Sequence, residues 1–166
     1  MLFEYTLLYK TNMVISRALL SSLCSELREQ GKKVVFTNGC FDILHVGHVT
    51  YLQAAKLLGD VLIVGINSDD SVRRLKGPSR PINNEADRST VVAAVRSVDY
   101  TVIFDEDTPL ELITELRPNV ITKGGDYTPD TIVGAEFVRK QGGDVVVIPL
   151  VAGKSTTSIV QKAAQC

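Results

Sequence analysis

Short runs of β-branched residues alternate with helical patterns from about residue 32 to the end of the chain. Each run is almost continuously apolar, as expected for strands that are buried in a parallel sheet. Five runs fit this description: 33–37, 61–66, 100–104, 120–123 and 145–148. Because strands that alternate with helices form βαβ units, the sequence predicts an α/β fold in which helices cover both faces of a parallel sheet of about five strands. Ligands of such sheets bind at the carboxyl ends of the strands.

The N-terminal part of the chain has a different pattern. Residues 16–30 predict an amphipathic helix, with Ser16 as its cap and Gly31 just beyond its end. Residues 1–13 show no clear pattern, and we interpret them as a loosely attached arm or a dimer contact. The predicted organisation is therefore an N-terminal arm and helix at 1–30, followed by one α/β domain at 31–166.

Charge and cysteine usage exclude several classes of protein. The formal net charge of −1 provides no positive field for nucleic acid or an acidic membrane. The three cysteines, Cys24, Cys40 and Cys166, form no CxxC pair and no even framework, which predicts free thiols in a reducing compartment. No uncharged apolar stretch approaches the roughly 18–20 residues that span a bilayer, and the N-terminus lacks the features of a signal peptide. We therefore expect a cytoplasmic protein without nucleic-acid or membrane partners.

Both histidines of the chain fall in one window, His45-Val46-Gly47-His48, between the first core strand and the first core helix. A helix N-terminus offers unpaired N–H groups and a partial positive charge, which suit a phosphate. Residues three apart in a first helical turn lie on one side, so His45 and His48 can flank one phosphate. Gly47 lets the backbone approach the same ligand. Metal binding, helix capping and a place in the core are the alternatives for these histidines.

The run Gly39-Cys40-Phe41-Asp42-Ile43-Leu44-His45-Val46-Gly47-His48 resembles the G-x-F-D-x-x-H-x-G-H element of the cytidylyltransferase-like nucleotidyltransferases. Further stretches resemble the heptose 1-phosphate adenylyltransferase branch of that superfamily, in the expected order. They are Asn67-Ser68-Asp69, Leu75-Lys76-Gly77, Arg80-Pro81, Glu106-Asp107-Thr108-Pro109, Lys123-Gly124-Gly125-Asp126-Tyr127 and Ser155-Thr156-Thr157-Ser158. The resemblance covers about residues 31–162.

This resemblance implies a Rossmann-like, three-layer α/β/α nucleotidyltransferase domain. The implied reaction transfers AMP from ATP to D-glycero-D-manno-heptose 1-phosphate, giving ADP-heptose and pyrophosphate for lipopolysaccharide inner-core synthesis. Mg²⁺ is implied with ATP, held chiefly by phosphates and water rather than by a metal site of the protein. In many bacteria this domain is fused behind a kinase; 166 residues leave no room for one, so we expect the stand-alone enzyme, as a homodimer.

A cytidylyltransferase acting on glycerol 3-phosphate or another small phosphate is the alternative. That branch has an arginine a few residues before the position of Lys154, and this chain lacks it. Lys154 itself is a further source of positive charge beside the last helix.

The resemblance also predicts the roles of individual residues. The predicted catalytic residues are His45, His48, Lys76 and Arg88. The predicted nucleotide-binding residues are Asn38, Gly39, Cys40, Phe41, Asp42, Gly47, Gly124, Asp126, Ser155, Thr156, Thr157 and Ser158. The residues predicted to bind the sugar phosphate are Asn67, Asp69, Arg80, Lys123 and Tyr127.

Ordinary structural roles are alternatives for several of these residues. The run Ser155–Ser158 can cap the last helix instead of binding phosphates. The basic stretch 73–88 can be a solvated loop instead of a mobile lid that closes over polyphosphate. Asp42 can simply form a turn, and Asn67 and Asp69 can cap the helix that follows them.

Overall fold

The computed structural model describes residues 13–125, 127–151 and 153–165. Its strands are β1 (Met13–Val14), β2 (Val34–Gly39), β3 (Val61–Asn67), β4 (Tyr100–Phe104), β5 (Val120–Gly124) and β6 (Asp144–Ile148). Its helices are α1 (Arg17–Glu29), α2 (Val46–Lys56), α3 (Asp69–Lys76), α4 (Glu85–Ala93), α5 (Leu110–Leu116), α6 (Ala135–Lys140) and α7 (Thr156–Ala163). A short 3-10 helix, Pro129–Thr131, lies between β5 and α6. No helix in these ranges is both long and apolar enough to cross a membrane.

The strands form one parallel sheet in the order β1-β4-β3-β2-β5-β6. The five longer strands confirm the predicted sheet. The sixth strand, β1, was not predicted; it pairs Met13 with Tyr100 and Val14 with Thr101 at the edge of the sheet. Two residues are too few to show a periodic pattern, so nothing in the sequence indicated this strand. Residues 1–12, the rest of the predicted arm, lie outside the described residues.

Two hydrophobic clusters, one on each face of the sheet, create the three layers. Helices α1, α5 and α6 pack on one face, around Phe36 and Ile63. Helices α2 and α4 pack on the other face, around Val35 and Val64. Because successive side chains of a strand point to opposite faces, neighbours such as Val35 and Phe36 enter different clusters. The predicted α/β/α architecture is confirmed.

Helix α1 contributes three buried residues to the first cluster: Leu20, Cys24 and Leu27. Their spacing of four and three places them on one face of the helix. The Oγ of Ser16 accepts a hydrogen bond from the N–H of Leu19, and Gly31 follows the helix with a φ of 68°, so both predicted boundary residues are confirmed. Cys24 and Cys40 are free thiols, while Cys166 is outside the described ranges. The domain boundary at residue 30 stays a prediction.

The order of the strands reverses beside β2. From β2 the chain runs outward through β3 and β4, then returns to β5 and β6 on the other side of β2. Parallel α/β sheets bind ligands beyond the carboxyl ends of the strands at such a reversal. There the Nζ of Lys123, near the end of β5, donates to the backbone oxygen of Asn38, near the end of β2, at 2.8 Å. A lysine ammonium group therefore stands at the reversal point.

Candidate active site at the reversal of strand order

A cavity of about 370 Å³ lies at the carboxyl ends of β2 and β5. Its volume falls in the ordinary range for ligand sites, roughly 300–1,000 Å³. The predicted site residues that line it are Asn38, Gly39, Cys40, Phe41, Asp42, His45, Gly47, His48, Lys76, Lys123, Gly124, Tyr127, Ser155, Thr156 and Thr157. Asp126, predicted to bind the nucleotide, lies outside the described residues. The predicted residues that line the cavity come from four segments that are distant in sequence: 38–48, 76, 123–127 and 155–157.

The two histidine rings stack on each other inside this cavity. Their centroids are 3.8 Å apart and their planes differ by 24°. The ring of Phe41 packs against His48 at a centroid distance of 5.2 Å. Within the part of the chain that the structure describes, the buried Nδ1 atoms of both histidines have no hydrogen-bond partner. Because buried polar atoms are normally paired, these nitrogens are candidates for contact with a ligand.

Helix α2 begins directly after His45, which is its N-cap residue. The ring of His45 makes no capping hydrogen bond, so the capping alternative does not explain it. Gly47 is buried beneath that ring, and a Cβ added to Gly47 would stand 3.0 Å from the Cε1 and Nδ1 atoms of His45. The glycine therefore leaves the room in which the His45 ring lies over the helix terminus.

The turn that carries the histidines is fixed by Asp42, whose side chain is almost fully buried. Its Oδ1 accepts hydrogen bonds from the N–H groups of Ile82 at 2.7 Å and Asn83 at 3.1 Å. Its Oδ2 forms an ion pair with Arg80 at 2.5 Å. Arg80 is thus bound to a protein carboxylate and does not line the cavity. Asp42 ties the turn after β2 to the segment before α4.

Arg88, predicted to be a catalytic residue of a lid, is buried and points into the protein. Its Nε donates to the backbone oxygen of Asn83 at 3.0 Å, and its Nη1 donates to that of Cys40 at 2.5 Å. Its Nη2 donates to the backbone oxygen of Asn67 at 2.7 Å and to the Asp69 carboxylate at 2.9 Å. Arg88 does not line the cavity; in this arrangement it holds the ends of β2 and β3 together.

Asn67 and Asp69, both predicted to bind the sugar phosphate, do not line this cavity. Asp69 uses its carboxylate on Arg88, and Asn67 donates to the Oγ of Ser71 at 3.1 Å. The cap of α3 is Ser68, whose Oγ accepts the N–H of Ser71, so neither Asn67 nor Asp69 caps this helix. Asn67 lines a second, smaller cavity, and Asp69 lines neither of the two.

The last helix, α7, brings hydroxyl groups to the cavity at its N-terminus. The Oγ of Ser155 caps the helix by accepting the N–H of Ser158 at 3.1 Å, as the capping alternative expects. Ser155, Thr156 and Thr157 also line the cavity, so capping and ligand contact are compatible. Ser158 does not line it. No residue of α7 is fully buried, and the Thr156 hydroxyl donates a hydrogen bond to the backbone oxygen of Ile43 at 3.3 Å.

Among the described residues, Tyr51, Leu150 and Val151 line the cavity although the sequence did not predict them, and Lys154, noted there only as a source of charge, lines it too. Tyr51 lies one helical turn after Gly47, so helical spacing could have indicated it. Its hydroxyl is 2.6 Å from the Oγ1 of Thr37, and burial raises the pKa of Tyr51 to about 12. Leu150 and Val151 precede α7 in a loop that has no regular pattern, and no sequence signal pointed to them.

Lysines and neutral histidines set the electrostatics of the cavity. Lys76, Lys123 and Lys154 all line it. Burial, with smaller contributions from His45 and Lys76, lowers the pKa of His48 to about 4. Burial and the charge of Lys154 also lower the pKa of His45, while burial lowers that of Lys123 to about 8. The protein without ligand therefore presents neutral imidazoles among cationic side chains, which is an environment for an anion.

In the described ranges, no three histidine, cysteine, aspartate or glutamate side chains come together as a metal-binding group. Of the residues that the structure describes, Asp42 contributes a carboxylate to the cavity lining, and Arg80 and two backbone N–H groups already bind this carboxylate. The site therefore provides cations and hydrogen-bond donors for an anionic ligand.

Acidification is expected to destabilise the ligand-free protein through His48. Its pKa is about 4 in the folded state and 6.5 in an ordinary environment, so the folded state binds fewer protons than the unfolded chain between these values. The stabilising effect of the neutral ring is complete above 6.5 and is lost as the pH falls toward 4. Melting temperatures measured across this window should fall more steeply for the wild type than for His48→Asn. Parallel curves would contradict the lowered pKa, since the carboxylates titrate in both proteins.

Comparison with known proteins identifies the family. A family model described as cytidylyltransferase-like matches residues 36–161, which include the histidine window and the start of α7. The chain belongs to the cytidylyltransferase-like family.

The curated relatives are longer than this cytidylyltransferase-like chain. It is 61% identical over 135 residues to the bifunctional protein HldE of Syntrophotalea carbinolica. This alignment covers 81% of this chain and 28% of that protein. It is 57% identical over 147 residues to the bifunctional protein HldE of Trichlorobacter lovleyi. This alignment covers 89% of this chain and 30% of that protein. The chain thus spans less than a third of the length of these relatives.

Solved structures with the same fold include the lipopolysaccharide core biosynthesis protein of Thermoplasma volcanium. It superposes with a TM-score of 0.58 at 32% identity, over 73% of this chain and 98% of that chain. The pantoate-beta-alanine ligase of Francisella tularensis superposes with a TM-score of 0.54 at 16% identity, over 93% of this chain and 79% of that chain. At that identity the ligase supports the Rossmann-like fold alone.

Proposed function

We propose that this protein transfers AMP from ATP to D-glycero-D-manno-heptose 1-phosphate, producing ADP-heptose and pyrophosphate for the lipopolysaccharide core. The similarity to a lipopolysaccharide core biosynthesis protein supports this substrate class. The order of the motifs between residues 39 and 158 supports the adenylyltransferase branch of the family. The reaction would take place in the cytoplasm, and we propose a homodimer as the working assembly.

The observation that carries the proposal is the stacked pair of His45 and His48 in a cavity that also holds the start of α7. Imidazole N–H groups, hydroxyl groups and helix-terminal N–H groups all donate hydrogen bonds to phosphate oxygens. Lysine side chains on the same walls neutralise the charge of a polyphosphate. An apolar side, formed by Leu150 and Val151, suits the adenine ring of ATP.

The proposed reaction joins two anions by an in-line displacement. An oxygen of the sugar phosphate forms a bond to the α-phosphorus of ATP, while the bond from that phosphorus to the oxygen bridging to the β-phosphate breaks. Pyrophosphate leaves with the electron pair of the broken bond. Since the nucleophile is already an anion, no strong general base is required, and catalysis consists of positioning and charge stabilisation.

Each group of residues has a task in this proposal. His45 and His48 donate hydrogen bonds to phosphate oxygens that gain charge during the displacement. The phosphates in turn favour protonated rings, against the effect of burial in the ligand-free protein. Lys76 and Lys154 neutralise the triphosphate, and the residues at the start of α7 hold its β- and γ-phosphates. Mg²⁺ would arrive with ATP on phosphate oxygens and water.

Replacing Gly47 by alanine is expected to impair catalysis without destabilising the protein. A Cβ would stand 3.0 Å from the His45 ring and 3.4 Å from the Cβ of Lys154, so the ring must move. Alanine favours a helix over glycine by up to about 1 kcal/mol, so the melting temperature should not fall. We expect kcat/KM for ATP to decrease by about tenfold or more, because misplaced groups lose catalytic geometry. Steady-state kinetics and thermal unfolding test both parts, and an unchanged kcat/KM would show that the ring position is unimportant.

The function itself is tested by measuring pyrophosphate release with two nucleotides and two acceptors. ATP and CTP are each combined with D-glycero-D-manno-heptose 1-phosphate, as both anomers, and with glycerol 3-phosphate. Release with ATP and one heptose anomer supports the proposal. Release only with CTP and glycerol 3-phosphate would establish the alternative cytidylyltransferase, and tight ATP binding without any turnover would indicate a nucleotide-binding regulatory protein.

A further inference from the structure

A second cavity, of about 260 Å³, lies beside the first. Five residues line both cavities and form what we call the shared wall: Asn38, Gly39, Cys40, Lys123 and Tyr127. The far side of the second cavity is formed by Asn67, at the end of β3, and by the segment between β4 and α5. A reaction that joins two substrates needs two sites that meet at the reacting atoms. The two cavities adjoin along the shared wall, which includes Lys123.

The segment between β4 and α5 carries the motif 106–109, to which no role has yet been assigned. The Glu106 carboxylate forms an ion pair with α1, and Pro109 is buried. One oxygen of Asp107 accepts a hydrogen bond from a guanidinium of α3 at 2.7 Å. For the Thr108 hydroxyl, no partner exists among the residues that the structure describes. Glu106 and Pro109 therefore have structural roles within the protein. Asp107 and Thr108 line the second cavity and keep polar atoms that are free to bind a ligand.

We propose that the second cavity binds the sugar phosphate and that Asp107 and Thr108 select it by hydrogen-bonding its hydroxyl groups. This inference rests on the proposed function. Lys123, in the shared wall, holds the acceptor phosphate beside the α-phosphate of ATP. Asp107 and Thr108 line only the second cavity, so they face the part of the sugar that is remote from its phosphate.

The polar side chains of the second cavity suit the hydroxyl groups of a small polyol, while Leu75, Pro109 and Val133 give it apolar walls. A carboxylate accepts hydrogen bonds, and a threonine hydroxyl both donates and accepts them, which is the complement that sugar hydroxyls need. The half-exposed ring of Tyr127 gives the sugar an apolar face to pack on. The cavity volume of about 260 Å³ lies just below the usual range for drug-sized ligands, roughly 300–1,000 Å³. This volume suits a smaller ligand, of the size of a single sugar.

The variants Thr108→Val and Asp107→Asn test this inference with ATP and the heptose 1-phosphate anomer that the wild type uses. We expect KM for the heptose phosphate to rise about tenfold for Thr108→Val and about 10- to 100-fold for Asp107→Asn, since the charged group makes the stronger hydrogen bonds. KM for ATP should stay within about twofold in both variants, because neither residue lines the ATP cavity. The preference for the heptose phosphate over D-mannose 1-phosphate, which lacks the seventh carbon, should also shrink.

Two variants on α5 serve as matched controls: Thr114→Val and Glu111→Gln. The Thr114 hydroxyl bonds to the backbone of its own helix, and Glu111 is an exposed partner of Arg17. Neither residue lines the second cavity, so both variants should keep the wild-type KM for the acceptor. Melting temperatures of all four variants check that the fold is retained.

The outcomes separate the two proposals. Wild-type protein that releases no pyrophosphate with either heptose anomer overturns the proposed function and the inference with it. Normal wild-type turnover with an unchanged acceptor KM in both Thr108→Val and Asp107→Asn overturns the inference alone. Equal increases in KM for ATP and for the acceptor would also overturn it, because they would indicate a general disturbance of the site.

Discussion

Replacing His48 by alanine is expected to lower kcat by about 10²- to 10³-fold while changing ATP binding only several-fold. The His48 ring packs against both His45 and Phe41, and its buried Nδ1 has no partner in the described part of the chain. A donor that acts mainly on the charge developing in the transition state contributes to turnover more than to the affinity for ATP. Steady-state kinetics, together with calorimetric titration of a non-hydrolysable ATP analogue, measure the two effects separately.

Two conservative variants extend this test. The amide of His48→Asn lies near the position of Nδ1, whereas that of His48→Gln lies near the position of Nε2. Partial recovery of kcat in one of them identifies the ring nitrogen that donates. Equal losses of kcat and ATP affinity in His48→Ala would contradict the proposed role and reduce His48 to a binding contact.

Replacing Arg88 by leucine is expected to destabilise the protein by about 3–5 kcal/mol, which corresponds to a melting temperature lower by on the order of 10 °C. The buried guanidinium donates to three backbone oxygens and to the Asp69 carboxylate. Leucine fills part of the volume but leaves these acceptors buried without donors, and that loss is costly. Thermal and chemical unfolding measure the change.

Arg73→Leu is the matched control for this prediction. Arg73 lies on the exposed side of α3, where it pairs with Asp70, and an exposed ion pair is worth at most about 1 kcal/mol. Arg88→Lys should fall between the wild type and Arg88→Leu, since an ammonium group cannot reach all four acceptors. An Arg88→Leu protein of normal stability but without activity would support the lid contact that the sequence predicted.

Local motifs explain why much of the site could be predicted. His45, Gly47 and His48 lie within one helical turn, so their spacing already places them on one side of the helix terminus. The strand–helix alternation fixes the edge of the sheet at which that terminus lies, and it brings the start of α7 to the same edge. The stacking of the two rings was not predictable, because it depends on χ angles that the surrounding packing selects.

The composition of the basic stretch 73–88 could not predict which of its side chains face the cavity and which bind protein groups. Lys76 lines the cavity, whereas Arg80 and Arg88 turn toward protein acceptors. Arginines near a predicted phosphate site suggest anion contacts, but these two find their partners on segments that only the folded chain brings near. Arg88, for example, bonds to backbone oxygens 48 and 21 residues away.

The shallow attachment of α7 has a thermodynamic consequence. This helix supplies hydroxyl groups to the cavity, yet none of its residues is fully buried, so the free energy that docks it on the domain is small. A ligand that contacts both the histidine turn and the start of α7 would therefore stabilise the docked position of this helix. By linkage, the free energy that the ligand spends on holding α7 in its docked position reduces the observed binding affinity by the same amount. Substitutions on the outer face of α7, far from any phosphate, would then tune nucleotide affinity.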